Sequence, residues 1–432
     1  MSLKFLFGTV LCLVLVVIST IVSLNDYQSR LDEYNSAVAE FNEKPETGSP
    51  RIHREPEVLS IFVQGFERRF GNVVDISWKG DIPVRAGGFM GTSEAAQFAA
   101  EFASIDFLFV VRVIISLLAI FLSYDAISGE YERGTLKLAL SRPVSRASII
   151  LGKMIAGIVC LLIPLVMSFI IGVLVVQLVG GVAFTTEHWL RISFIAGVAI
   201  LCAMSFYMIG LVVSSRTRQA ATSLLILLLI WIAGVFLIPG ITTAVVDRYR
   251  LKMLDPGSEI TAINADIRKR EEPLPRYEDH VANWNEAYGK YRLKWDKLMD
   301  EKASAIWNVQ NTYLNRLYSQ ADLVRWVCRL SPSESSAYAA QAMARTDVGA
   351  YRSFMRHVRS FRDVHRDFAK KRFTNRDEYN AERDKYREAP QMPSAAFSAS
   401  LRVALPDICL LCIFNVLFFM LSVLFFIRYD VH

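Results

Sequence analysis

Residues able to carry out chemistry are few in this sequence, and they are scattered. Cys409 and Cys412 stand in a C-x-x-C spacing that occurs in zinc and thiol redox sites, but both lie in a long apolar run, where such a pair more often serves packing. His357 and His365 could lie on related faces of one helix, yet two histidines alone make a weak metal site. We therefore expect no resident metal, no cofactor and no catalytic residue in this chain.

Motifs of common hydrolases are absent from the sequence. No G-x-x-x-x-G-K-[ST] phosphate-binding loop occurs, because Gly152 and Lys153 lack both the upstream glycine and the following hydroxyl residue. Neither an H-E-x-x-H zinc motif nor a G-x-S-x-G nucleophile turn is present. The chain is not expected to hydrolyse ATP by itself, and a membrane-embedded hydrolase is the least favoured function.

Long apolar runs dominate the chain and indicate its class. Apolar residues make up 53% of the 432 residues, above the usual share in soluble proteins. They gather in six runs, each long enough to cross a bilayer as a helix: residues 5–24, 105–122, 154–176, 192–213, 221–246 and 404–427. The sequence therefore predicts an α-helical integral membrane protein with six transmembrane helices and a mostly helical extracytoplasmic domain.

The boundaries of these runs divide the chain into parts. Residues 1–24 are predicted to form the first transmembrane helix, because no clear small-x-small cleavage site follows them and a retained helix is favoured over a signal peptide. Two segments are assigned outside the cytoplasm, a short one at 25–100 and a helical domain at 247–400. Residues 101–246 hold transmembrane helices two to five, and 401–432 hold the last one with a cytoplasmic tail.

The segment at residues 123–153 is a polar and basic loop between two apolar runs. Short loops rich in lysine and arginine stay on the cytoplasmic side of a membrane. The basic residues of this loop are Arg133, Lys137, Arg142, Arg146 and Lys153. The loop at 214–219 contains two arginines, whereas residues 180–189 contain no lysine or arginine, which agrees with this orientation. Both chain ends are therefore expected in the cytoplasm.

Within this loop, the sequence predicts a short helix. The pattern of residues 136–141 is amphipathic, and Pro143 would end the helix. Acidic residues, among them Glu130 and Glu132, precede it. We expect this helix to lie along the membrane surface with acidic residues at its start.

Four charged or amide side chains interrupt the apolar runs, the first of them Asp106 near the outer end of the second run. Arg112 lies well inside the second run, and Asp407 and Asn415 lie in the last one. An ionisable group at such a depth is costly unless it faces protein or water, which makes Arg112 a candidate functional residue. The alternative is a structural arginine that pairs with a neighbouring helix, for instance with Asp407. The two interpretations carry equal weight.

Segments between the runs show helical periodicity. Apolar residues recur every three or four positions in residues 27–41, 284–317 and 354–368, which predicts a stalk and long helices packed as a hairpin or bundle. Residues 72–78 alternate enough to suggest a short strand. The formal charge of +6 does not indicate a nucleic-acid partner, because the cytoplasmic loops already account for much of it.

The polar loop also carries a resemblance to a known family. The loop resembles the signature of type-2 ABC exporter permeases in the order of its residues. These are Asp125, Gly129-Glu130, Gly134-Thr135, Arg142-Pro143, Arg146 and Gly152-Lys153. It is most similar to the branch associated with multicopper-enzyme maturation and gliding-type systems. Residues 330–354 and 406–431 agree with this resemblance.

The resemblance implies a function and a set of partners. It implies a permease subunit that works with a separate ABC ATPase subunit, in which ATP and magnesium bind, and with a second permease that is either identical or different. The residues implied to couple to the ATPase are Asp125, Glu130, Glu132, Arg133, Gly134 and Thr135. The natural location is the inner membrane of a bacterium, where a periplasmic partner could also act, and the cargo stays open.

A transmembrane scaffold or mechanical transmitter is the main alternative function. In that case an outer domain would work on a partner without any cargo crossing. Arg112 and Asp407 discriminate between the two, because a conduit would wet them whereas a transmitter would bury them as a pair.

Overall fold

The computed structural model describes residues 3–43, 51–67, 73–75, 106–141, 145–250, 256–272, 284–374, 376–382 and 396–427. Six helices within these residues are long and apolar enough to span a membrane: Phe5–Glu40, Phe107–Glu132, Arg146–Gly180, Thr186–Ser214, Ala220–Val245 and Phe397–Ile427. Each overlaps one of the apolar runs. The predicted class is confirmed, and the chain is an α-helical integral membrane protein.

The secondary structure is almost entirely helical. Among the described residues the helices are α1 (Leu3–Glu43), α2 (Phe107–Phe109), α3 (Ser116–Ser123), α4 (Ser128–Glu132), α5 (Thr135–Leu140), α6 (Arg146–Gly180), α7 (Thr186–Ser214), α8 (Ala220–Ile232), α9 (Ile238–Arg250), α10 (Pro256–Glu271), α11 (Trp284–Cys328), α12 (Pro332–Ala344), α13 (Val348–Thr374), α14 (Arg376–Glu382) and α15 (Phe397–Ile427). Strands β1 (Arg51–His53) and β2 (Val73–Asp75) pair antiparallel, with Ile52 opposite Val74.

The predicted elements outside the membrane can be compared with this list. Helix α1 continues beyond its apolar part, as the stalk periodicity predicts, and β2 lies within the predicted strand at 72–78. Arg142 and Pro143, at the predicted end of the loop helix, lie outside the described residues.

Two spans contain a π-helical turn that the sequence does not reveal. In the second span the turn covers Val110–Ile115 and joins α2 to α3, and in the fifth it covers Ala233–Leu237 and joins α8 to α9. Asp106 caps the start of the second span by accepting a hydrogen bond from the Phe109 backbone N–H at 2.7 Å. Such turns widen the helix locally and often occur at functional sites.

Helix α7 lies at the centre of the bundle. It packs against α3, α12 and α15, and its buried side chains surround the whole helix, as expected for a helix that is apolar on every face. Glycines allow close contact with it: a Cβ atom at Gly157 would overlap the Tyr207 ring, and one at Gly210 would overlap the Ser123 side chain. The bundle is therefore packed tightly around α7.

Helix α12 is the least expected element of the fold. It belongs to the polar stretch between the fifth and sixth spans, yet it packs against α7 and α15 and is buried along nearly its whole length. Its serines and alanines allow the close approach that interfaces between membrane helices require. The polar stretch therefore returns to the spans instead of lying entirely apart from them.

Helices α11 and α13 pack against each other, as the aromatic and apolar periodicity predicts. Their shared core consists of Trp307, Leu314, Leu317, Tyr351, Phe354, Met355 and Val358, together with Ile52 of β1. A smaller cluster joins α10 to α11 through Ile267, Leu298 and Met299. Within the described residues this shared core agrees with the prediction of long helices packed as a hairpin or bundle.

Candidate functional site

The loop between the second and third spans contains two short helices instead of one. Helix α4 carries Glu130 and Glu132, and α5 begins at Thr135. Gly134 separates them with φ at 73°, a left-handed conformation that glycine adopts without steric cost. The acidic residues therefore do not begin the predicted amphipathic helix; they form the helix before it.

The loop is fixed to the bundle by a serine that the sequence analysis does not identify. The Ser214 hydroxyl, at the end of α7, accepts hydrogen bonds from the backbone N–H groups of Ile127 at 3.0 Å and Ser128 at 3.1 Å. The Ser128 hydroxyl also lies 3.2 Å from that of Ser214. All these groups are buried, so the start of α4 is held against the end of the fourth span.

Both glutamates of α4 have partners in neighbouring spans. Lys153 Nζ lies 2.7 Å from Glu130 Oε1, which joins α4 to α6. Glu132 Oε2 accepts a hydrogen bond from the Ala220 backbone N–H at 3.2 Å, at the start of α8 where unpaired backbone donors favour an anion. The two side chains thus contribute to the position of the loop.

Among the described side chains of helix α5, Leu136 packs into the bundle. Leu136 is fully buried with Ile127, Ile150 of α6 and Phe426 of α15. Arg146 of α6 donates hydrogen bonds at 2.9 Å to the backbone carbonyls of Phe426 and Ile427, which satisfies acceptors at the end of the last span. The loop therefore contacts the ends of several spans at once.

The opposite side of the loop is exposed, and we call it the loop face. It consists of Glu132, Arg133, Gly134, Thr135, Lys137 and Leu138. Leu138 is 71% exposed, a large apolar side chain among charges. Asp125 is half-buried, and its Cβ lies 3.0 Å from the position that a Cβ at Gly129 would occupy. Of the predicted coupling residues, Glu132 to Thr135 lie on this face, while Asp125 and Glu130 lie behind it.

Arg112 is bound by helix α12. It occupies the π-helical turn of the second span, pairs with Glu334 and donates a hydrogen bond to the Ser333 hydroxyl at 3.1 Å. Because the Glu334 side chain is only 8% exposed, the pair is largely withdrawn from water. The polar stretch thus supplies the counter-charge for an arginine of the bundle.

Asp407 also pairs with the polar stretch. Its fully buried carboxylate accepts hydrogen bonds from Arg325 at 2.5 Å and from Arg329 at 2.6 and 3.2 Å, both near the end of α11. The suggested pair of Arg112 with Asp407 is therefore wrong. The actual partners, Glu334, Arg325 and Arg329, lie in a stretch that has the composition of a soluble domain, so the apolar runs alone do not reveal them.

Asn415 joins two spans in the interior. Its amide nitrogen lies 2.9 Å from the Ser205 hydroxyl and 3.1 Å from the Leu201 carbonyl, both on α7, and 2.8 Å from the Leu411 carbonyl of its own helix. Hydrogen bonds of this kind are an established means of holding membrane helices together. Asn415 accordingly acts as a contact between α7 and α15.

The segment of residues 51–67 is attached to the turn after α12. Arg54 donates a hydrogen bond to the Arg345 carbonyl at 2.7 Å, and Glu57 lies 3.2 Å from Arg345. Burial raises the pKa of the Glu57 carboxyl, and the charges of Arg345 and Arg54 partly offset this effect. Charged contacts therefore link residues 51–67 to the turn that follows α12.

Within the part of the chain that the structure describes, no group of three His, Cys, Asp or Glu side chains could hold a metal ion. The six apolar helices and the exposed loop between the second and third define a polytopic membrane protein.

Comparison with known proteins gives the family. The chain belongs to the ABC-2 family transporter proteins, whose family model matches residues 1–295. A domain of unknown function, DUF3526, matches residues 263–392, the stretch that contains α11 to α13. The chain is also similar to the probable ABC transporter permease protein NosY of Stutzerimonas stutzeri, with 29% identity over 159 residues. This match covers 37% of the chain and 54% of NosY, so the chain spans about half of the length of this relative.

Proposed function

We propose that this chain is the permease subunit of an ATP-driven exporter that couples ATP hydrolysis in a separate subunit to export or to work on an extracytoplasmic partner. Family membership supports the transporter class. The observation that carries the coupling role is the loop face, an exposed surface of mixed charges around Leu138 on a loop that contacts several spans.

A force applied to the loop face would reach the spans through named contacts. Leu136 packs against Ile150 of the third span and Phe426 of the sixth. Ser214 ties the loop to the fourth span, and Glu132 ties it to the start of the fifth. A displacement of α4 and α5 is therefore expected to alter the arrangement of four spans together, as alternating access requires.

The orientation follows from the distribution of basic residues. The loop carrying Arg133, Lys137 and Lys153 faces the cytoplasm in this proposal, and so do both chain ends. The membrane is the inner membrane of a bacterium, ATP and magnesium bind in the partner ATPase, and a second permease, identical or different, completes the complex. Helices α10 to α14 then lie outside the cytoplasm.

The first test is affinity purification of the full chain from native membranes in mild detergent. We expect an ATPase subunit to co-purify with measurable activity, and Leu138→Asp to reduce its recovery severalfold, because a charge would replace the apolar centre of the loop face. Leu330→Asp is the matched control, since Leu330 is exposed to the same 71% but lies between α11 and α12. Full recovery of the ATPase with Leu138→Asp would contradict the coupling role.

A second function, mechanical transmission without cargo passage, is favoured by the buried ion pairs. Asp407 and Arg112 are both engaged with the stretch that carries α11 and α12, which supports movement of that stretch together with the spans. The test compares the rate of backbone hydrogen exchange in α11 of the assembled complex with and without bound nucleotide. Transmission predicts that, in the folded complexes that are recovered, Asp407→Asn abolishes the nucleotide-dependent change in α11 exchange although the ATPase subunit is still bound.

A further inference from the structure

A cavity of about 800 Å³ lies between α11, α13 and the first turns of α15. This volume is typical of sites for small organic ligands. One face of α13 and one face of α11 form its walls, and Ala399, Ser400 and Val403 of the last span form its end. Because α15 is an apolar spanning helix, the cavity lies where the polar stretch meets a span.

The charged side chains of the cavity are mainly arginines. Five arginines and two aspartates line it: Arg54, Arg345, Arg352, Arg356, Arg359, Asp322 and Asp347. Part of this charge is already balanced, because Asp322 lies 2.7 Å from Arg352 and because Glu57, close to the cavity, contacts Arg54 and Arg345. The cavity nevertheless keeps an excess of positive charge.

Arg356 and Arg359 supply this excess. They stand on the same face of α13 as Arg352, four and seven residues further along, and both are exposed. Within the described residues, Arg356 has no ion-pair or hydrogen-bond partner, and Arg359 has no acidic partner. The Arg359 guanidinium lies 5.1 Å from the centre of the Trp307 ring. Two planar cations are thus available to bind one anionic group bidentately.

The lining also contains buried donors that lack an acceptor. Trp307 Nε1, Tyr318 Oη and Arg352 Nε are buried and have no hydrogen-bond partner among the described residues. Burial raises the pKa of Tyr318 to about 12, so its hydroxyl keeps the proton that it could donate. Unsatisfied buried donors are rare in folded proteins and require an explanation. These atoms lie behind the cavity surface, so the groups that a ligand would meet first are the exposed Arg356 and Arg359.

The remaining lining is mixed, and its apolar part leads toward the membrane span. Its polar members are Asn311, Asn315, Ser319, Ser353 and Ser400. Leu314 and Met355 are buried in the walls, whereas Val403, in the first part of the last span, is 42% exposed. A small hydrophilic anion would leave the Val403 side chain uncovered. An amphiphile would place its headgroup at the arginines and its chain along the apolar lining.

We propose that this cavity binds an amphiphile with an anionic headgroup, held by Arg356 and by Arg359, whose guanidinium lies over the Trp307 ring, with its apolar chain toward Val403. This site is separate from the loop face, and the proposal does not depend on ATP-driven transport. It assigns a ligand class to the part of the chain matched by the domain of unknown function.

The test is a calorimetric titration of the purified full chain in non-ionic detergent with dihexanoylphosphatidylglycerol. Dihexanoylphosphatidylcholine has the same chains with a zwitterionic headgroup, and glycerol 3-phosphate has a phosphate without chains. We expect saturable binding of the anionic lipid and binding at least about tenfold weaker for the other two probes. The phosphatidylcholine lacks the net negative charge, and glycerol 3-phosphate lacks the apolar chains. Equal binding of either comparison probe, or no saturable binding of the anionic lipid, would overturn the proposal.

Variants identify the cavity as the binding site. Arg356→Gln with Arg359→Gln is expected to weaken binding of the anionic lipid by about tenfold or more, because two charge-assisted contacts are lost. Both side chains are exposed, so the fold should tolerate the change. Arg268→Gln with Arg316→Gln removes the same charge from exposed positions of α10 and α11 outside the lining and is expected to leave the affinity unchanged. Equal losses in the two double variants would show general charge attraction and overturn the assigned site.

Discussion

Arg329 and Asp407 form a hydrogen bond of 2.6 Å between the end of α11 and the first part of the last span. The carboxylate is fully buried, whereas the arginine side chain keeps 16% of its surface exposed. Arg325 binds the second carboxylate oxygen at 2.5 Å. One anion inside the helix bundle thus holds two cations of the polar stretch, and the two parts of the chain are joined by charge as well as by packing.

Removal of this anion should destabilise the protein strongly. Breaking a buried ion pair from one side typically costs about 3–5 kcal/mol, because the partner charges lose their counter-ion. We expect Asp407→Ala to lower the apparent melting temperature in detergent far more than Arg402→Gln, a change at an exposed charge on the same helix. Asp407→Ala combined with Arg329→Ala should cost less than the sum of the single effects. Additive losses would mean that the contact does not stabilise the fold.

The sequence predicts the spans well because apolar length is a property of each segment alone. It does not predict helix α12, whose serines, alanines and single glutamate give no apolar run. Burial of α12 depends on partners far away in sequence: Glu334 meets Arg112, and its small side chains fit against α7 and α15. Pairing across such distances is decided by tertiary packing, which periodicity does not encode.

The same reasoning explains which parts of the loop were predictable. The basic residues and the amphipathic pattern of residues 136–141 indicate a loop helix from local sequence, and α5 is present. The division at Gly134 and the anchoring by Ser214 are not local, because a serine at the end of an apolar run is unremarkable until its position against Ile127 and Ser128 is known. The coupling role of the loop stays a proposal.

Gly157 should tolerate no side chain. A Cβ there would overlap the ring of Tyr207, whose hydroxyl donates a hydrogen bond to the Lys153 carbonyl at 2.8 Å. Overpacking of this kind typically costs about 1–3 kcal/mol, so Gly157→Ala should lower the apparent melting temperature. Gly152→Ala on the same helix meets open space and should raise it slightly, since alanine favours helices over glycine by about 0.5–1 kcal/mol. Equal behaviour of the two variants would contradict the close contact between α6 and α7.

Ser214 should be required for the position of the loop. Ser214→Ala leaves the buried N–H groups of Ile127 and Ser128 without their acceptor, at about 1–3 kcal/mol for each unsatisfied group. We expect faster hydrogen exchange in α4 and weaker recovery of the ATPase. Ser193→Ala removes an exposed hydroxyl from the same helix and should change neither quantity. Unchanged exchange in α4 with Ser214→Ala would contradict the anchoring role.

Glu130 and Glu132 should affect ATPase association by different routes. Glu130→Ala with Glu132→Ala is expected to reduce association while membrane insertion stays intact. Glu130 acts through Lys153 at 2.7 Å, so Glu130→Gln should have little further effect once Lys153→Gln is present. Glu132 lies on the exposed loop face, so Glu132→Gln should reduce association by the same factor in either background.

The measurement is the amount of ATPase subunit recovered with each single and double variant, with insertion followed by the yield of folded chain in size-exclusion chromatography. Because the Glu130 and Lys153 side chains are partly exposed, their coupling should be modest, at most about 1 kcal/mol. Independent effects of Glu130→Gln and Lys153→Gln would mean that Glu130 contacts the ATPase directly. Wild-type recovery with the Glu132 variant would remove this residue from the coupling surface and leave Arg133 and Leu138 to carry it.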